Sequence, residues 1–140
     1  MVFKFERLEI WKLSINLINQ VYKISDLLPR EEEYNLKSQL RRAATSISLN
    51  IAEGSTGQSD AEQNRFLGLA LRSLVECVAC TRLIQERNYI RDENRLQALD
   101  AQYLELLAKI QAMRRSLSDK GYAVRDESVT YEDLTDEHRC

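Results

Sequence analysis

Residues 41–54 read Arg41-Arg42-Ala43-Ala44-Thr45-Ser46-Ile47-Ser48-Leu49-Asn50-Ile51-Ala52-Glu53-Gly54, and they carry two side-chain stripes at the spacing of an α-helix. The apolar stripe, which begins just upstream, consists of Leu36, Leu40, Ala43, Ala44, Ile47 and Ile51. The polar stripe consists of Arg42, Ser46, Asn50 and Glu53. A helix that only packs into a core needs the first stripe and not the second, so the segment predicts a buried helix with an additional polar role.

Two helices are predicted in the first part of the chain. The first covers about Leu8–Leu28, where two apolar stripes indicate burial on more than one side, and Pro29 ends it because the residue before a proline avoids helical geometry. The second follows the acidic run 31–33, which suits a helix N-terminus, and it ends at Gly54, interpreted as a C′ glycine.

Two more helices are predicted in the second part. Ser59 and Glu62 form a capping-box signature for the third helix, and Asp92 is the expected N-cap of the fourth, which stops near Gly121. Four helices joined by short loops predict an all-α fold, an antiparallel up-down-up-down four-helix bundle.

The chain of 140 residues fits one domain, expected over residues 1–121. Hydrophobic residues make up 44% and charged residues 30%, and the single proline and four glycines disfavour a fold with many turns. The chain lacks a signal peptide pattern and the roughly 18 uncharged apolar residues that a membrane span needs. Its three cysteines do not suggest a disulfide framework, so a cytoplasmic location is expected.

The net charge of −2 is unevenly distributed. Residues 125–140 contain six carboxylates and two arginines, a formal charge of −4, which leaves the preceding residues near +2. Residues 122–140 are therefore expected to form a flexible acidic tail. Since the remainder is nearly neutral, any nucleic-acid binding must depend on a local basic patch.

The sequence contains few of the residue patterns that are typical of a catalytic site. His138 is the only histidine and lies in the expected tail, so a histidine-centred triad or di-iron pair is not predicted for the bundle. Cys77 and Cys80 form a Cys-x-x-Cys pair in mid-helix, far from the N-terminus that would lower a thiol pKa. The chain has no phosphate-binding loop either. We therefore predict a protein that is not an enzyme and has no metal or cofactor.

Basic residues form the candidate nucleic-acid site. Lys37, Arg41 and Arg42 lie early in the second helix, and Arg87 and Arg91 flank the connection after the third. In an antiparallel bundle these two places lie at the same end, where the cations are able to contact phosphates. The alternative is that they are solvated residues paired with Glu and Asp.

The polar stripe has its own interpretation. Glu53 opposes the dipole at a helix C-terminus, and Arg42 lies about 16 Å away along the axis, too far for a pair within the helix. Glu53, Ser46 and Asn50 are therefore predicted to fix helix register or to form a subunit interface, in preference to a ligand site.

The same residues carry a resemblance. Arg41-Arg42-Ala43-Ala44, Ser46-Ile47 and Asn50-Ile51-Ala52-Glu53-Gly54 resemble the signature of the bacterial four-helix-bundle family of ribosomal-RNA intervening-sequence proteins. Phe5-x-x-Leu8-x-Ile10-Trp11 is similar to its opening motif, and Phe66-Leu67-x-Leu69-Ala70-x-x-Ser73-Leu74-x-Glu76 to its third helix. The likeness covers roughly residues 3–118.

The resemblance implies an antiparallel bundle with relatives that form ring-shaped homopentamers. Related accessory proteins of diversity-generating retroelements bind nucleic acid through a basic surface and partner a reverse transcriptase, and the family supplies no catalytic residues. One departure is that relatives usually have a proline and a small polar residue where this chain has Ser48 and Leu49, which predicts a straighter second helix.

Together these observations predict a non-enzymatic homo-oligomer that binds RNA or DNA, with Lys37, Arg41 and Arg42 as phosphate contacts. The alternative is an oligomeric interaction scaffold that binds no nucleic acid, with the polar stripe serving assembly.

Overall fold

The structure, a computed structural model, describes residues 3–57 and 59–119. In this part of the chain there are four α-helices, two short 3-10 helices and no strand. The 3-10 helices are Lys4–Arg7 and Arg30–Glu32, and the α-helices are α1 Glu9–Ser25, α2 Leu36–Gly54, α3 Asp60–Glu86 and α4 Glu93–Ser118.

The four helices pack as a bundle in which α2 contacts α1 and α3, and α4 contacts α3 and α1. Hydrogen bonds between consecutive helices join an early residue of one to a late residue of the next, as antiparallel neighbours do. Ser14 of α1 meets Ser48 of α2, and Asn64 of α3 meets Ser118 of α4. The predicted all-α four-helix bundle is confirmed, while the expected acidic tail, 122–140, lies outside the described residues.

The core confirms the predicted apolar stripe of α2. Leu40, Ala44, Ile47 and Ile51 are all completely buried. Each fully buried leucine or isoleucine side chain contributes about 1.5 to 3 kcal/mol relative to exposure, so this stripe is a main source of bundle stability. None of the described helices has the length and apolar character needed to cross a membrane.

The connection between α1 and α2 is more structured than predicted. Helix α1 ends at Ser25, three residues before the expected end, and Pro29 caps the 3-10 helix that holds the acidic run. Glu32 of that run is buried, and its carboxylate accepts hydrogen bonds from the amide of Asn35 at 2.8 Å and the hydroxyl of Tyr89 at 3.3 Å. The run therefore anchors the connection, and α2 begins only at Leu36.

Two predicted helix starts are confirmed by their capping bonds. The Ser59 hydroxyl accepts a hydrogen bond from the backbone N–H of Glu62 at 3.0 Å. The Asp92 carboxylate accepts one from the backbone N–H of Arg95 at 3.2 Å. Each bond satisfies one backbone donor that a helix N-terminus leaves without an intrahelical acceptor.

The interpretation of Gly54 as a C′ glycine is wrong. Gly54 is the last residue of α2 and does not have a positive φ, whereas Gly57 in the following turn does. A Cβ on Gly54 would lie 2.9 Å from the Cβ of Phe66 and 3.3 Å from the carbonyl oxygen of Gln63. Glycine is needed here because α3 passes too close to α2 for any side chain.

Gly54→Ala is expected to lower the free energy of unfolding by about 1 to 3 kcal/mol, because a methyl group forces α2 and α3 apart. Urea unfolding followed by circular dichroism measures the change. Thr56→Ala, an exposed position in the same turn, serves as control and should stay within about 0.5 kcal/mol of wild type. Equal stability of the two variants would contradict the close-approach explanation.

Candidate functional site

The polar stripe of α2 divides into an inner and an outer part. Ser46 and Asn50 form the inner part: the Asn50 amide donates to the Ser46 carbonyl at 2.9 Å and to its hydroxyl at 3.1 Å. The Ser73 hydroxyl of α3 donates to the Ser46 hydroxyl at 2.8 Å. The Ser46–Ser73 bond joins α2 to α3. The Ser46 hydroxyl and carbonyl thus form hydrogen bonds within the chain.

The outer part faces solvent. Arg42, Thr45, Leu49 and Glu53 follow one another at steps of three and four residues, and we call them the outward face of α2. Leu49 keeps 55% of its surface exposed, and Arg42 and Glu53 are also exposed. Neither charged side chain forms an ion pair with any residue that the structure describes. The fold of the single chain therefore leaves this face without a partner.

A groove lies beside this face, between α1 and α2. It has a volume of about 310 Å³, and we call it the α1–α2 groove. Apolar surface comes from Leu49 and from Tyr22, which is 43% exposed. Its lining residues are Tyr22, Arg41, Arg42, Thr45, Ser46 and Leu49. It thus combines an aromatic ring, an aliphatic side chain, hydroxyl groups and positive charge.

Two of the predicted phosphate contacts are already paired within the chain. Arg41 donates to the Asp26 carboxylate at 2.7 Å and to the Ser25 hydroxyl at 2.7 Å, and its guanidinium lies 4.3 Å from the centre of the Tyr22 ring. Lys37 donates to the Glu33 carboxylate at 3.0 Å. Their charges are balanced by α1 and by the connection before α2, so neither is a free cation.

Arg87 and Arg91 are placed differently. Both are exposed on the connection between α3 and α4, and neither forms an ion pair with a described residue. The Tyr89 hydroxyl in the same connection donates to Glu32, which brings this connection to the end of the bundle where α2 begins. Burial and the nearby Glu32 carboxylate raise the pKa of Tyr89.

Ser48 acquires a role that the sequence did not reveal. It is 3% exposed, and its hydroxyl donates to the Ser14 hydroxyl of α1 at 2.8 Å. Ser14 in turn donates to the Trp11 carbonyl at 2.6 Å. This chain therefore uses a buried pair of hydroxyl groups to join α1 and α2.

Arg114 is a second buried polar residue that sequence reasoning missed. A positive charge late in α4 suits the helix dipole without any burial, yet Arg114 is only 5% exposed, whereas its neighbour Arg115 is in solvent. The Arg114 guanidinium donates to the side-chain carbonyl of Asn64 at 2.5 Å, and the Asn64 amide donates to the Ser118 hydroxyl at 3.0 Å. This cluster fixes the register of α3 against α4.

The Cys-x-x-Cys pair is part of the core. Cys77 is completely buried, and burial, the nearby Cys80 and Glu76 raise the pKa of its thiol far above the ordinary range. The Thr81 hydroxyl donates to the Cys77 carbonyl at 2.8 Å and lies 2.9 Å from the Tyr103 hydroxyl. Cys80 is also buried, and burial and Glu76 raise the pKa of its thiol, so both thiols are core groups whose thiolate form is disfavoured. Within residues 3–57 and 59–119, no group of three metal-ligating side chains comes together.

The four helices and the motif on α2 define the class of protein, a small four-helix bundle. The chain belongs to the family of 23S rRNA-intervening sequence proteins, whose family model matches residues 6–112. This confirms the family predicted from the motifs. A comparison with curated proteins gives no match.

Arg114→Met is expected to lower the free energy of unfolding by about 2 kcal/mol or more, since it leaves the buried Asn64 carbonyl without its donor. Arg115→Met removes the same charge from the next, exposed position and should change stability by no more than about 0.5 kcal/mol. Thermal and urea unfolding compare the two. Near-equal losses would show that Arg114 does not hold α3 against α4.

Alkaline pH is expected to destabilise the bundle. Burial raises the pKa of Cys77 and of Tyr103, so between pH 9 and 11 the unfolded chain releases protons that the folded chain keeps. Stability is full below about pH 9 and falls as pH rises, with each group contributing a slope of at most about 1.4 kcal/mol per pH unit. Urea titrations at pH 8, 9.5 and 11 measure the slope. It should be shallower in Cys77→Ala and in Tyr103→Phe, and an unchanged slope in both would refute this assignment.

Proposed function

We propose that this chain is a non-enzymatic, homo-oligomeric helical bundle that acts in the cytoplasm, assembles through the outward face of α2 and binds RNA with Arg87 and Arg91. The observation that carries the proposal is that the most family-specific segment has a face that its own bundle does not use. Arg42, Leu49 and Glu53 are exposed and unpaired on it, although the residues between them build the core.

The composition of the outward face favours self-assembly. Leu49 and the adjacent Tyr22 expose apolar surface, and burial of such surface is the main driving force of association. Arg42 and Glu53 supply opposite charges about 16 Å apart along the helix. A second copy also carries a positive and a negative charge on this face, so each charge that is unpaired in the single chain is able to pair with an opposite charge of its neighbour. A homopentameric ring is the form implied by the resemblance.

Exposure and pairing favour Arg87 and Arg91 as the phosphate contacts. They remain solvated cations, whereas Lys37 and Arg41 are held by Glu33 and Asp26. A ring repeats each arginine in every subunit, and every additional phosphate contact strengthens binding at low salt. The family's description refers to 23S rRNA, which makes RNA the ligand to test first. Glu86 next to Arg87 and Asp92 next to Arg91 repel phosphate, so we expect a modest RNA affinity per subunit.

A second candidate function is an assembly scaffold that binds no nucleic acid. The observation that favours it is the neutralisation of Lys37 and Arg41 within the chain. In this case the ring serves a protein partner, and a reverse transcriptase, as implied by the resemblance, is the first candidate.

Native mass measurement tests the assembly. Wild type is expected to be oligomeric, and Leu49→Glu is expected to shift it toward monomer by placing an unpaired charge in the interface. Leu83→Glu is a matched control, because Leu83 on α3 is also 55% exposed. A monomeric wild type, or equal effects of the two variants, would contradict assembly through the outward face.

RNA binding is tested separately on the intact oligomer. Affinity for a single-stranded RNA is expected to fall with rising salt, and Arg87→Ala with Arg91→Ala should weaken it and reduce the salt slope by about 2 per subunit engaged. Arg82→Ala is the control, since Arg82 is exposed but paired with Asp100 at 3.0 Å. An oligomer that binds no RNA at low salt would favour the scaffold function instead.

A further inference from the structure

We infer that the contact between subunits is heterologous: Tyr34 of one copy, with Glu31 beside it, occupies the α1–α2 groove of the next copy, where Arg42 lies. This inference rests on the proposed self-assembly and names the surfaces that perform it. The two halves of the contact are different parts of the same chain.

The first half is the Tyr34 segment, residues 30–35, between α1 and α2. Tyr34 is 95% exposed, more than any other large hydrophobic residue that the structure describes. Backbone hydrogen bonds of i to i+3 type join Glu33 to Arg30 and Asn35 to Glu32. Glu31 and Tyr34 are three residues apart between these bonds, the spacing that puts two side chains on one side of a 3-10 turn. Glu31 is exposed and forms no ion pair with a described residue, so an aromatic ring and a free carboxylate project together.

The second half is the α1–α2 groove, which has the complementary chemistry. Tyr22 and Leu49 provide apolar walls, the guanidinium of Arg41 is fixed over the Tyr22 ring, and Thr45 offers a hydroxyl. Its volume of about 310 Å³ is at the lower limit of pockets that hold small ligands, a size that suits one aromatic side chain. Arg42 at its edge supplies the unpaired positive charge.

Complementarity and placement identify a second copy as the occupant. The aromatic ring fits the apolar walls and the fixed guanidinium, because tyrosine buries a large area and keeps a polar tip for a hydroxyl partner. The free carboxylate of Glu31 fits the free guanidinium of Arg42. Tyr34 is almost fully exposed in its own chain, so it does not fill its own groove. A contact between two different surfaces of identical chains propagates head to tail and closes into a ring when the rotation allows.

Disulfide trapping between two variants, each with one accessible cysteine, tests the contact. Tyr34→Cys and Leu49→Cys are made separately with Cys140→Ser, since Cys77 and Cys80 are buried, and the two proteins are mixed, allowed to exchange subunits and oxidised. Cross-linked pairs containing one chain of each are expected. Tyr34→Cys mixed with Leu83→Cys is the control, because Leu83 is exposed to the same extent as Leu49.

Native mass of the same samples separates the possible failures. If the samples are oligomeric but Tyr34→Cys cross-links to Leu49→Cys no more than to Leu83→Cys, this inference is overturned and the proposed assembly stays intact. Wild-type protein that is monomeric under the same conditions would overturn the proposed assembly itself, and this inference with it.

Charge reversal provides an independent readout. Arg42→Glu and Glu31→Arg are each expected to weaken self-association by about tenfold, and the double variant to recover most of the loss. Glu93→Arg, an exposed acidic position on α4, should have little effect. A double variant that associates no better than the weaker single variant would exclude the Glu31–Arg42 contact.

Discussion

The burial of the apolar side of α2 between α1 and α3 is the constraint on which the rest of the structure depends. Ala43 and Ala44 keep this side narrow, and Gly54 lets α3 pass where any Cβ would collide with Phe66. Once this side is fixed inward, the helical repeat of 3.6 residues determines what faces outward. Arg42, Leu49 and Glu53 are therefore on the surface as a direct result of how the core is built.

Sequence periodicity predicted most of this fold because helices depend on local spacing. The four helices and the caps at Ser59 and Asp92 followed from residues within one or two turns. The features that sequence periodicity missed depend on residues that are distant in the sequence and close in space. The close approach at Gly54, the Ser14–Ser48 bond and the Arg114–Asn64 bond each involve a partner on another helix. The burial of Arg114 did leave a local signal, because this residue lies four positions after Ile110 and three before Leu117 on the apolar stripe of α4, and Arg115 does not.

At the candidate site, too, the sequence predicted what depends on local spacing and missed what depends on partners in other helices. The sequence identified a polar stripe on α2 but did not show that Ser46 and Asn50 bond within the chain while Arg42 and Glu53 remain unpaired. It also identified five cations without showing which are available. Asp26 lies 15 residues before Arg41 in the chain and neutralises it across the α1–α2 contact. Counting basic residues therefore overestimates the surface open to phosphate.

The most direct test of the account is the solvent accessibility of Leu49 in the assembled protein. A Leu49→Cys, Cys140→Ser variant is reacted with a thiol reagent at protein concentrations above and below the dissociation constant of the oligomer. The account predicts labelling that is at least about tenfold slower in the oligomer than after dilution to monomer, because the outward face of α2 is then covered. Equal labelling rates in the two states would contradict the claim that this face joins the subunits.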